Sequence, residues 1–552
     1  MLKKVLCMVM AVLMTAVFFA GCGSSAGNEA STGQQTGSAA GSAETSKAGI
    51  EVNPTGMPIV NKPLTLKFLA AAGPFNKGDF SQVEIWKAYE QLTGIHVDWE
   101  AVPSENVNEK KNIILASGNY PDAFFKISFT SDELTKYGEQ GILRPINNLI
   151  ENYAPNFKKV LDENPDVKKG ITMLDGNIYS LPYLVTATPS RFGMKMFVNR
   201  KWLDKLGLQP PTTTDELYTV LKAFKQSDPN GNQKADEIPL SSAQQILGIL
   251  FPLKGAWGLG TRGGNHPLVD VDEATGKLRF IPADPKYKEV LQYISKLYTE
   301  KLIDEEIFTI TMAKLAAKGA QNQIGFSFST SNTYVGQEHQ DDFVGLPGAL
   351  KGPNGDQLFA MFTSSLASPA TFEMTASNKN PEATMRWIEY FYGDEGIKLY
   401  FMGIEGKTYV TGADGKVKYS DEVLKNPNGL TREEVLGKYV VWSGGNNPSI
   451  AGDKYFGDHA IPEITRDAGN KLMPFAPKEV WSNFNYSTAD ADRMKTLTND
   501  MNTYINDMAA KFITGNTSFD KWDEYVNTIN KMGLEEFMQI YERGYQQYSK
   551  DE

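Results

Sequence analysis

One stretch of the chain, DPNGNQKADE at residues 228–237, combines residue types and a spacing that could bind a metal ion. Its oxygen-bearing side chains are those of Asp228, Asn230, Asn232, Asp236 and Glu237. Hard oxygen donors converging from one loop suit Ca²⁺, and the carboxylates repel one another unless a cation lies between them. The spacing therefore predicts a calcium loop, to which Lys234 contributes its backbone carbonyl.

A second interpretation of this stretch is an Asx-rich surface turn without a metal. Pro229 and Gly231 supply turn geometry, and Asx side chains hydrogen-bond to their own backbone in such turns. The loop also departs from the EF-hand pattern, because its sixth position is Gln233 rather than glycine and its twelfth is Pro239 rather than glutamate.

Strings that resemble motifs for catalysis or nucleotide binding lack the residues or the structural context that these motifs require. The string at 258–263 fits GxGxxG, but Gly-Asn-His-Pro follows at 264–267 where a helix should begin. Residues 406–408 resemble the end of a P-loop, yet the required first glycine is Phe401. The sequence contains no HExxH and no GxSxG nucleophile elbow, because its GxSxG string, at 23–27, lies in a stretch of small and polar residues rather than between a strand and a helix. We therefore predict that the protein is not an enzyme.

The first residues, MLKKVLCMVMAVLMTAVFFAGC, combine a basic start, an apolar run and Cys22 after Phe-Ala-Gly. The end of this stretch resembles the bacterial lipobox, so residues 1–21 are predicted to be a cleaved lipoprotein signal that leaves Cys22 lipid-modified, with palmitate among its acyl chains. An ordinary secretory signal cut a few residues later is the alternative. Both place the protein outside the cytoplasm, and the first places it on the extracytoplasmic face of the cell membrane.

Composition narrows the class of protein. The formal net charge of −11 argues against nucleic acid as a partner, because phosphates call for a clustered basic surface. The only cysteines, Cys7 and Cys22, lie in or at the end of the signal, so the remaining chain has no disulfide framework and no cysteine zinc site. Residues 23–49 are small or polar and predict a flexible tether with a span of about 30 Å. The folded part should begin near Lys62.

Hydrophobic periodicity predicts strands that alternate with helices, which is typical of parallel α/β layers. The predicted strands are 64–70, 96–102, 194–199 and 323–328. The predicted helices are 83–92, 106–116, 214–225, 287–301 and 381–392, followed by a helical stretch at 495–548 that is broken at Gly515 and Gly533. A boundary between two lobes is expected near residues 186–190.

Several short motifs occur in a recognisable order. They are the lipobox, GxxPD at 118–122, DGxxYxLP at 175–182, NxxWLxxLG at 199–207, PTT at 211–213, the loop at 228–237, GIEGKTY at 403–409 and the helical tail. Together, from about Leu64 to Tyr548, they resemble the extracellular solute-binding lipoproteins of bacterial ABC importers. The similarity is to the large oligosaccharide-binding branch, which includes alginate-oligosaccharide-binding proteins.

This resemblance implies a two-lobed α/β fold of the periplasmic-binding-protein type II. Each lobe would be a mostly parallel sheet flanked by helices, with a hinge of crossing strands and a helical C-terminal region. The predicted boundaries are 1–21 for the signal, 22–62 for the lipidated cysteine and linker, 63–187 for lobe 1, 188–366 for lobe 2 with the calcium loop, 367–425 for a return to lobe 1, and 426–552 for a mainly helical region that completes lobe 2 and the cleft. The resemblance also implies a structural Ca²⁺ held by Asp228, Asn230, Asn232, Lys234, Asp236 and Glu237.

Sugar binding needs aromatic faces and a few polar groups that set orientation. The candidates are Asp122, Tyr183, Arg191, Trp257, Phe328 and Trp442. Tyr183 and Arg191 flank the first crossing, and Asp122 is expected at the end of a strand. Phe328 follows a strand similar to one that carries an aromatic platform in maltose-type binders, whereas Trp257 and Trp442 lie in glycine-rich loops. Core packing is the expectation for Trp202, Trp387 and Trp522, and it stays open for the two loop tryptophans.

The resulting prediction is a monomeric, membrane-tethered receptor that captures an oligosaccharide and hands it to an ABC permease. Two other classes stay open. One is a receptor for peptides or another solute without dedicated uptake, since this fold serves many ligands. The other is a surface glycosidase or lyase, which would need paired carboxylates or a base beside a metal in the cleft.

Overall fold

The computed structural model describes residues 50–76 and 80–550. The predicted signal, Cys22 and the tether lie outside the described residues. The strands are β1 Leu64–Ala72, β2 Ile95–Pro103, β3 Ala123–Phe125, β4 Ser180–Val185, β5 Lys195–Asn199, β6 Ile238–Ser242, β7 Val269–Asp272, β8 Lys277–Phe280, β9 Ile324–Ser329, β10 Phe343–Gly345, β11 Leu366–Met374, β12 Tyr409–Thr411, β13 Val417–Tyr419 and β14 Ile450–Ala451.

The helices surround these strands and dominate the C-terminal region. They are α1 Glu84–Thr93, α2 Val107–Ser117, α3 Ser131–Glu139, α4 Asn147–Tyr153, α5 Pro155–Glu163, α6 Pro165–Ile171, α7 Thr188–Arg191, α8 Arg200–Leu206, α9 Thr214–Gln226, α10 Leu247–Leu253, α11 Pro285–Thr299, α12 Met312–Ala320, α13 Pro381–Glu389, α14 Asp394–Met402, α15 Asp421–Leu424, α16 Arg432–Leu436, α17 Asp458–Ala460, α18 Glu463–Leu472, α19 Thr488–Thr514, α20 Trp522–Lys531 and α21 Leu534–Tyr548. Short 3₁₀ turns occupy Phe80–Gln82, Lys254–Trp257, Ile281–Ala283, Asn332–Val335, Gln340–Asp342, Tyr390–Tyr392, Met473–Phe475 and Phe519–Lys521, and a π-turn occupies Asp453–Gly457.

Two sheets organise the fold. The first sheet has the strand order β14-β4-β11-β3-β1-β2, and the second has the order β10-β5-β9-β6. We call the first sheet with the helices packed on it lobe 1, and the second sheet with its helices lobe 2. Two hairpins, β12–β13 and β7–β8, stand apart from these sheets.

Local sequence explains the central strand of lobe 1. Leu64, Leu66 and Phe68 of β1 are buried while Thr65 and Lys67 are exposed, and the strand then becomes buried on both faces. Such a change is expected of a strand that continues beneath helices on both sides, and β1 pairs with β2 on one edge and β3 on the other. The following helix α1 ends at Gly94, whose φ of 76° is the left-handed conformation that glycine adopts without strain.

The α/β class and the helical C-terminal region are confirmed, and most predicted elements lie within a few residues of those observed. Both sheets are mixed, because in each of them one strand runs against all the others. In the first sheet β11 is antiparallel to both of its neighbours, and in the second sheet β5 is antiparallel to both of its neighbours. The reason is topological: β4 leads out of lobe 1 and β11 leads back into it, so adjacent strands at the crossing run in opposite directions.

The aromatic core of lobe 1 lies between its sheet and helices α1 and α13. Trp86 stacks with Trp387 at 5.8 Å between ring centroids, and Phe68 meets Trp387 edge-on at 5.3 Å. Trp202 and Trp522 are likewise buried, in lobe 2. The expectation that Trp202, Trp387 and Trp522 pack in the core is therefore confirmed.

Lobe 1 extends further along the chain than the predicted boundary at 425. Strand β14 pairs with β4 of the first sheet, and Val435, Val440 and Tyr455 pack in the core of lobe 1. The chain then enters α18, which packs against β10 and β5 of lobe 2.

Three segments cross between the lobes and hydrogen-bond to one another. The amide of Val185 donates to Ser365 at 2.8 Å, and that of Thr363 donates to Arg191 at 3.0 Å. The third segment joins through Thr186, whose amide donates to the carbonyl of Ala451 at 3.0 Å. Crossing strands of this kind can act as a hinge, because a few backbone torsions in them reorient two rigid lobes.

Candidate functional site

The directions of the strands show which edge of lobe 1 faces lobe 2. Strand β4 ends where the chain crosses, and β11 begins where it returns. Since β3 is antiparallel to β11 and β1 and β2 run parallel to β3, these three strands end on the crossing side. Ligands of open α/β sheets bind beyond the carboxyl ends of the strands. The turns after β1 and β3 are therefore the candidate wall of a cleft.

Lobe 2 has the corresponding edge. Strand β5 leaves the crossing, β9 is antiparallel to β5, and β6 is parallel to β9. The carboxyl ends of β6 and β9 therefore point back toward the crossing. Residues 243–245 and 330–332 follow these ends.

Trp442 is the predicted sugar-binding residue that lies at the cleft-facing edge of lobe 1. The turns after β1 and β3 both contact it. Its side chain is half-buried. Its backbone N–H donates to Oδ1 of Asn76, in the turn after β1, at 2.8 Å. Its carbonyl accepts from Nζ of Lys126, directly after β3, at 2.7 Å. Its ring lies 6.4 Å from that of Phe75 between centroids.

Two glycines make room for the Trp442 ring. A Cβ on Gly73 would lie 2.5 Å from Cε3 of Trp442, and one on Gly444 would lie 2.3 Å from its Cζ2. Such distances are far inside van der Waals contact, so both positions require glycine for this ring placement. An aromatic side chain that the fold accommodates in this way, in a residue that is only partly buried, is suited to stacking on a sugar.

Tyr183 and Arg191 lie near the crossing, as expected from the sequence. Burial raises the pKa of Tyr183 to about 12, while a hydrogen bond with Asn447 of the Trp442 loop acts in the opposite direction. Arg191 donates from Nε to the carbonyl of Thr363 at 2.9 Å, and its guanidinium lies 4.2 Å from the ring centroid of Phe362. Burial lowers the pKa of Arg191, although Asp166 acts in the opposite direction. Arg191 therefore braces two crossing segments.

The structure places three other candidates away from a ligand. Phe328 is completely buried on β9, beside Phe326, and Trp257 is 2% exposed and packs against Tyr293 in the core of lobe 2. Neither ring offers a face to a sugar in this conformation. Their glycine-rich or strand-end positions in sequence did not reveal that helices cover them.

The prediction that Asp122 ends a strand is wrong, because this residue directly precedes β3. It therefore lies at the amino edge of the sheet, opposite the cleft side. Its Oδ2 accepts from the amide of Lys67 at 2.8 Å and its carbonyl accepts from the amide of Thr375 at 3.1 Å. The carboxylate thus satisfies the backbone of a neighbouring strand.

Sequence reasoning did not select the residues that hold Trp442, which are Gly73, Asn76, Lys126 and Asn447. A partial signal existed in the Gly-Pro that follows β1 and in the string SGGNNP at 443–448, since both are typical of turns. Nothing local indicates that these turns meet.

Lobe 2 also contains a cavity of about 1010 Å³. Its walls include Arg262, Arg279, Lys286, Phe475 and Glu479. The charges of these walls are paired: Arg279 donates to both oxygens of Asp270 at 2.8 and 2.7 Å, and Lys286 lies 3.3 Å from Asp356. Its lining residues fall at 258–286, 356–358 and 474–479, so it takes none from the carboxyl edge of the lobe 1 sheet.

The predicted calcium loop closes on itself through hydrogen bonds. Oδ1 of Asp228 accepts from the amides of Gly231 and Asn232 at 2.8 and 3.1 Å. The amide side chains of Asn230 and Asn232 both donate to Asp236. Within residues 50–76 and 80–550, no three His, Cys, Asp or Glu side chains form a ready-made metal cluster.

Glu237 nevertheless fits a cation at this loop. Its side chain is almost fully buried, and Oε1 has no hydrogen-bond partner among the described residues. Burial raises the pKa of Glu237, and the negative charges of Asp236 and Asp228 raise it further. A buried carboxylate oxygen without a hydrogen-bond partner, close in sequence to two more carboxylates, is a donor that a hard cation would satisfy.

With two lobes, crossing segments between them and a partly buried aromatic residue at a strand-end edge, the fold is that of a two-lobed binding protein. Residues 72–398 match the family model described as bacterial extracellular solute-binding protein. The chain belongs to this family. In the described part of the chain, no helix has both the length and the apolar character to cross a bilayer.

Curated relatives agree with this assignment. The fructooligosaccharide ABC transporter substrate-binding protein FusA of Streptococcus pneumoniae serotype 4 is 30% identical over 501 residues, which cover 88% of this chain and 90% of FusA. Lipoprotein LipO of Bacillus subtilis strain 168 is 24% identical over 488 residues, covering 83% of this chain and 88% of LipO.

Solved structures show the same fold. FusA of S. pneumoniae in complex with kestose superposes with a TM-score of 0.68 at 29% identity, over 88% of this chain and 99% of that chain. An EF-hand mutant of FusA in complex with fructo-nystose gives the same values. The alginate-binding protein AlgQ2 without calcium ion has a TM-score of 0.66 at 24% identity, over 88% of this chain and 98% of that chain, and shows the fold alone.

Proposed function

We propose that this protein is the substrate-binding component of an ABC importer, which captures an oligosaccharide between its lobes and delivers it to permease subunits. The observation that carries the proposal is Trp442, a partly buried residue held at the cleft-facing edge of lobe 1 by turns from two strands. The similarity to FusA, described as a fructooligosaccharide-binding protein, supports this class of ligand. No chemical step on the ligand is part of the proposal.

The proposed ligand contacts are Trp442, with Tyr183 and Arg191 near the crossing. Stacking of a pyranose or furanose face on Trp442 would supply affinity, and hydroxyl partners would set orientation. Binding would favour the closed arrangement of lobes to the extent that both edges touch the sugar. Small-angle scattering should then show a smaller radius of gyration on saturation with a sugar that binds, and an unchanged radius would contradict lobe closure.

The test of the proposed function is a calorimetric and thermal-shift panel on the purified protein in calcium buffer. The panel contains kestose, fructo-nystose, neutral and uronic-acid oligosaccharides, and dipeptides. Saturation at 100 times Kd stabilises by about 2.7 kcal/mol, which should raise Tm by about 2–3 °C for a chain of this size. A shift with one glycan class supports the proposal. Shifts with peptides alone would favour a peptide receptor, and glycan cleavage would favour an enzyme.

We also propose that the loop at 228–237 binds a structural Ca²⁺. Its ligands would be side-chain oxygens of Asp228, Asn230, Asn232, Asp236 and Glu237 with the carbonyl of Lys234. The unpartnered buried oxygen of Glu237 supports this, as does the existence of an EF-hand mutant of FusA. The ion would cross-link the loop and take no part in sugar chemistry.

Attachment to the membrane through a lipid on Cys22 completes the proposal. The lipobox-like sequence before Cys22 supports it. Metabolic labelling with an alkyne analogue of palmitate should mark the wild-type protein, and the Cys22→Ser variant should lose both the label and co-sedimentation with membranes. A labelled Cys22→Ser variant would contradict the assignment.

A further inference from the structure

Lys126 has an unusual backbone and an almost fully buried side chain at the edge of the lobe 1 sheet. It follows β3 directly, and its φ of 60° is in the left-handed region that lysine seldom adopts. Its amide donates to the carbonyl of Thr371 on β11 at 2.8 Å. This turn carries the lysine side chain out of the sheet toward the loop that contains Trp442.

The ammonium group of Lys126 is saturated by that loop. Nζ donates to the carbonyl of Trp442 at 2.7 Å, to that of Gly444 at 3.1 Å and to Oδ1 of Asn447 at 2.5 Å. An ammonium has three N–H donors, so none is left for a ligand. No salt bridge to Lys126 occurs among residues 50–76 and 80–550. The group is therefore suited to holding a loop and unsuited to contacting a sugar.

Asn447 extends this anchor into the core. Its side chain is fully buried, and Oδ1 accepts from the hydroxyl of Tyr400 at 2.9 Å as well as from Lys126. Its Nδ2 donates to the carbonyls of Ser443 and Gly445. Asn446 donates to Oγ of Ser128, which joins the same loop to the turn after β3 a second time.

These contacts leave few orientations open to the Trp442 ring. Its amide is held by Asn76, its carbonyl by Lys126, and its ring occupies the space that glycine at 73 leaves free. Lys126 Nζ also lies 5.8 Å from the ring centroid. Without the lysine, the carbonyls of Trp442 and Gly444 would each lose a charged donor, and the loop would have no other cation in these contacts to hold it.

We propose that Lys126 is a positioning residue, which orients Trp442 for stacking on the sugar without touching the sugar itself. The consequence for affinity rests on the proposed function, whereas the orientation of Trp442 does not. Burial disfavours the charged form of Lys126 and lowers its pKa to about 7.

The experiment is ¹⁹F NMR of the protein labelled with 5-fluorotryptophan. The chain has eight tryptophans, and the Trp442→Phe variant assigns the resonance of Trp442. Lys126→Met should shift or broaden the Trp442 resonance while the other seven keep their positions. Calorimetry with kestose should show about tenfold weaker binding. Lys126→Arg keeps the charge and the donors, and should recover part of both losses.

Lys195→Met is the matched control. Lys195 is a buried lysine at the corresponding edge of lobe 2, where its Nζ donates to the carbonyls of Phe192 and Thr330 at 2.8 and 3.0 Å. This variant should leave the Trp442 resonance unchanged. It therefore separates the specific effect of Lys126 from the general effect of removing a buried charge.

Two results would overturn the inference. One is an unchanged Trp442 resonance in Lys126→Met, and the other is an equal shift of all eight resonances, which would make Lys126 a general fold determinant. If Lys126→Met does not fold, the same measurements on Lys126→Arg decide. The guanidinium differs from the ammonium in size and donor geometry, so this variant should still shift the Trp442 resonance more than the other seven. If the wild-type protein binds no glycan, the proposed function fails, while the ¹⁹F spectra of the free protein still decide the role of Lys126.

Discussion

The loop at 228–237 and the Trp442 platform are held together in different ways. We use the name platform for Trp442 with Gly73, Asn76, Lys126 and Asn447. Hydrogen bonds inside the loop join residues two to six positions apart. Those of the platform join Trp442 to partners 366 and 316 positions away. The loop is therefore closed mainly by local contacts, with donors from farther along the chain in Lys205 and Gln323, whereas the platform exists only when lobe 1 has folded.

This difference predicts that damage to one region should leave the other intact. The loop lies on lobe 2, between α9 and β6, and the platform lies at the edge of the lobe 1 sheet. Energetic effects of distant sites that share no partners are usually additive. Variants in the two regions should therefore separate calcium-dependent stability from sugar affinity.

The largest effect is expected from Trp442→Ala. Loss of a central aromatic contact costs about 2 kcal/mol or more, so kestose affinity should fall about 30-fold or further. The calcium-dependent rise in Tm should stay at its wild-type value. Isothermal titration calorimetry measures the first quantity and differential scanning calorimetry the second. Wild-type affinity in this variant would remove the platform from the site.

The converse variant is Asp236→Asn in the loop. If Ca²⁺ is present at 1,000 times Kd, its binding stabilises by about 4 kcal/mol, so the variant and EDTA treatment should each lower Tm by a few degrees. Kestose affinity should stay within about twofold of wild type, since additivity holds for distant sites.

The matched control for this variant is Asp272→Asn. Asp272 also accepts backbone amides in a turn, from Ala274 at 2.8 Å and Thr275 at 3.2 Å, but it lies in the β7–β8 hairpin. Its Tm should respond to EDTA as the wild type does. A Tm of Asp236→Asn that still responds fully to EDTA would favour the turn without a metal.

A smaller effect is expected from Gly73→Ala, which tests the platform without removing the ring. The new Cβ would lie 2.5 Å from Trp442, so the ring must move, and overpacking of this kind costs about 1–3 kcal/mol. Kestose affinity should fall about tenfold. Gly515→Ala is the control: its φ of 75° makes the substitution strained, yet no atom lies within 4 Å of the added Cβ. It should lower Tm and leave affinity unchanged.

The last prediction concerns the pH dependence of folding stability rather than sugar affinity. Burial lowers the pKa of Lys126 and of Lys195 from 10.5 to about 7 in the folded state. Between these values the unfolded chain binds more protons, so the free energy of unfolding should rise with pH above 7. Each lysine contributes up to about 1.4 kcal/mol per pH unit. Lys254, with a pKa of about 8, adds to the slope above pH 8.

Urea unfolding at several pH values between 7 and 9 measures this slope. Lys126→Met and Lys195→Met should each reduce it by a similar amount, because the slope reports the burial of a lysine in either lobe. Only the first variant should also change the ¹⁹F resonance of Trp442. Identical slopes in wild type and both variants would show that these lysines do not titrate in this range.

Features that depend on residues near one another in the chain were predictable. The strand and helix periods of 64–70 and 83–92 indicated β1 and α1, and Gly515 and Gly533 marked the breaks in the C-terminal helices. The spacing of oxygen donors at 228–237 identified a loop that the structure closes through the same side chains. These features follow from backbone periodicity and from turn chemistry, which act over a few residues.

Features that depend on which distant segments meet were not predictable. Trp257 and Trp442 lie in similar glycine-rich loops, yet Trp257 is buried in lobe 2 and Trp442 is only partly buried at the edge of lobe 1. Phe328 and Asp122 were misplaced for the same reason, since burial and strand direction are set by neighbours far away in sequence.

The amino-acid sequence by itself determined the α/β class, the order of its elements and the oxygen-rich loop, because each is encoded by short-range pattern. Only the tertiary structure decided that β11 runs against β4, that Lys126 reaches the loop of Trp442, and that Gly73 leaves room for its ring. The last two outcomes depend on the packing of segments more than 300 residues apart. No local spacing encodes such a contact. Its free energy is gained only after both of the segments that make it have packed into lobe 1.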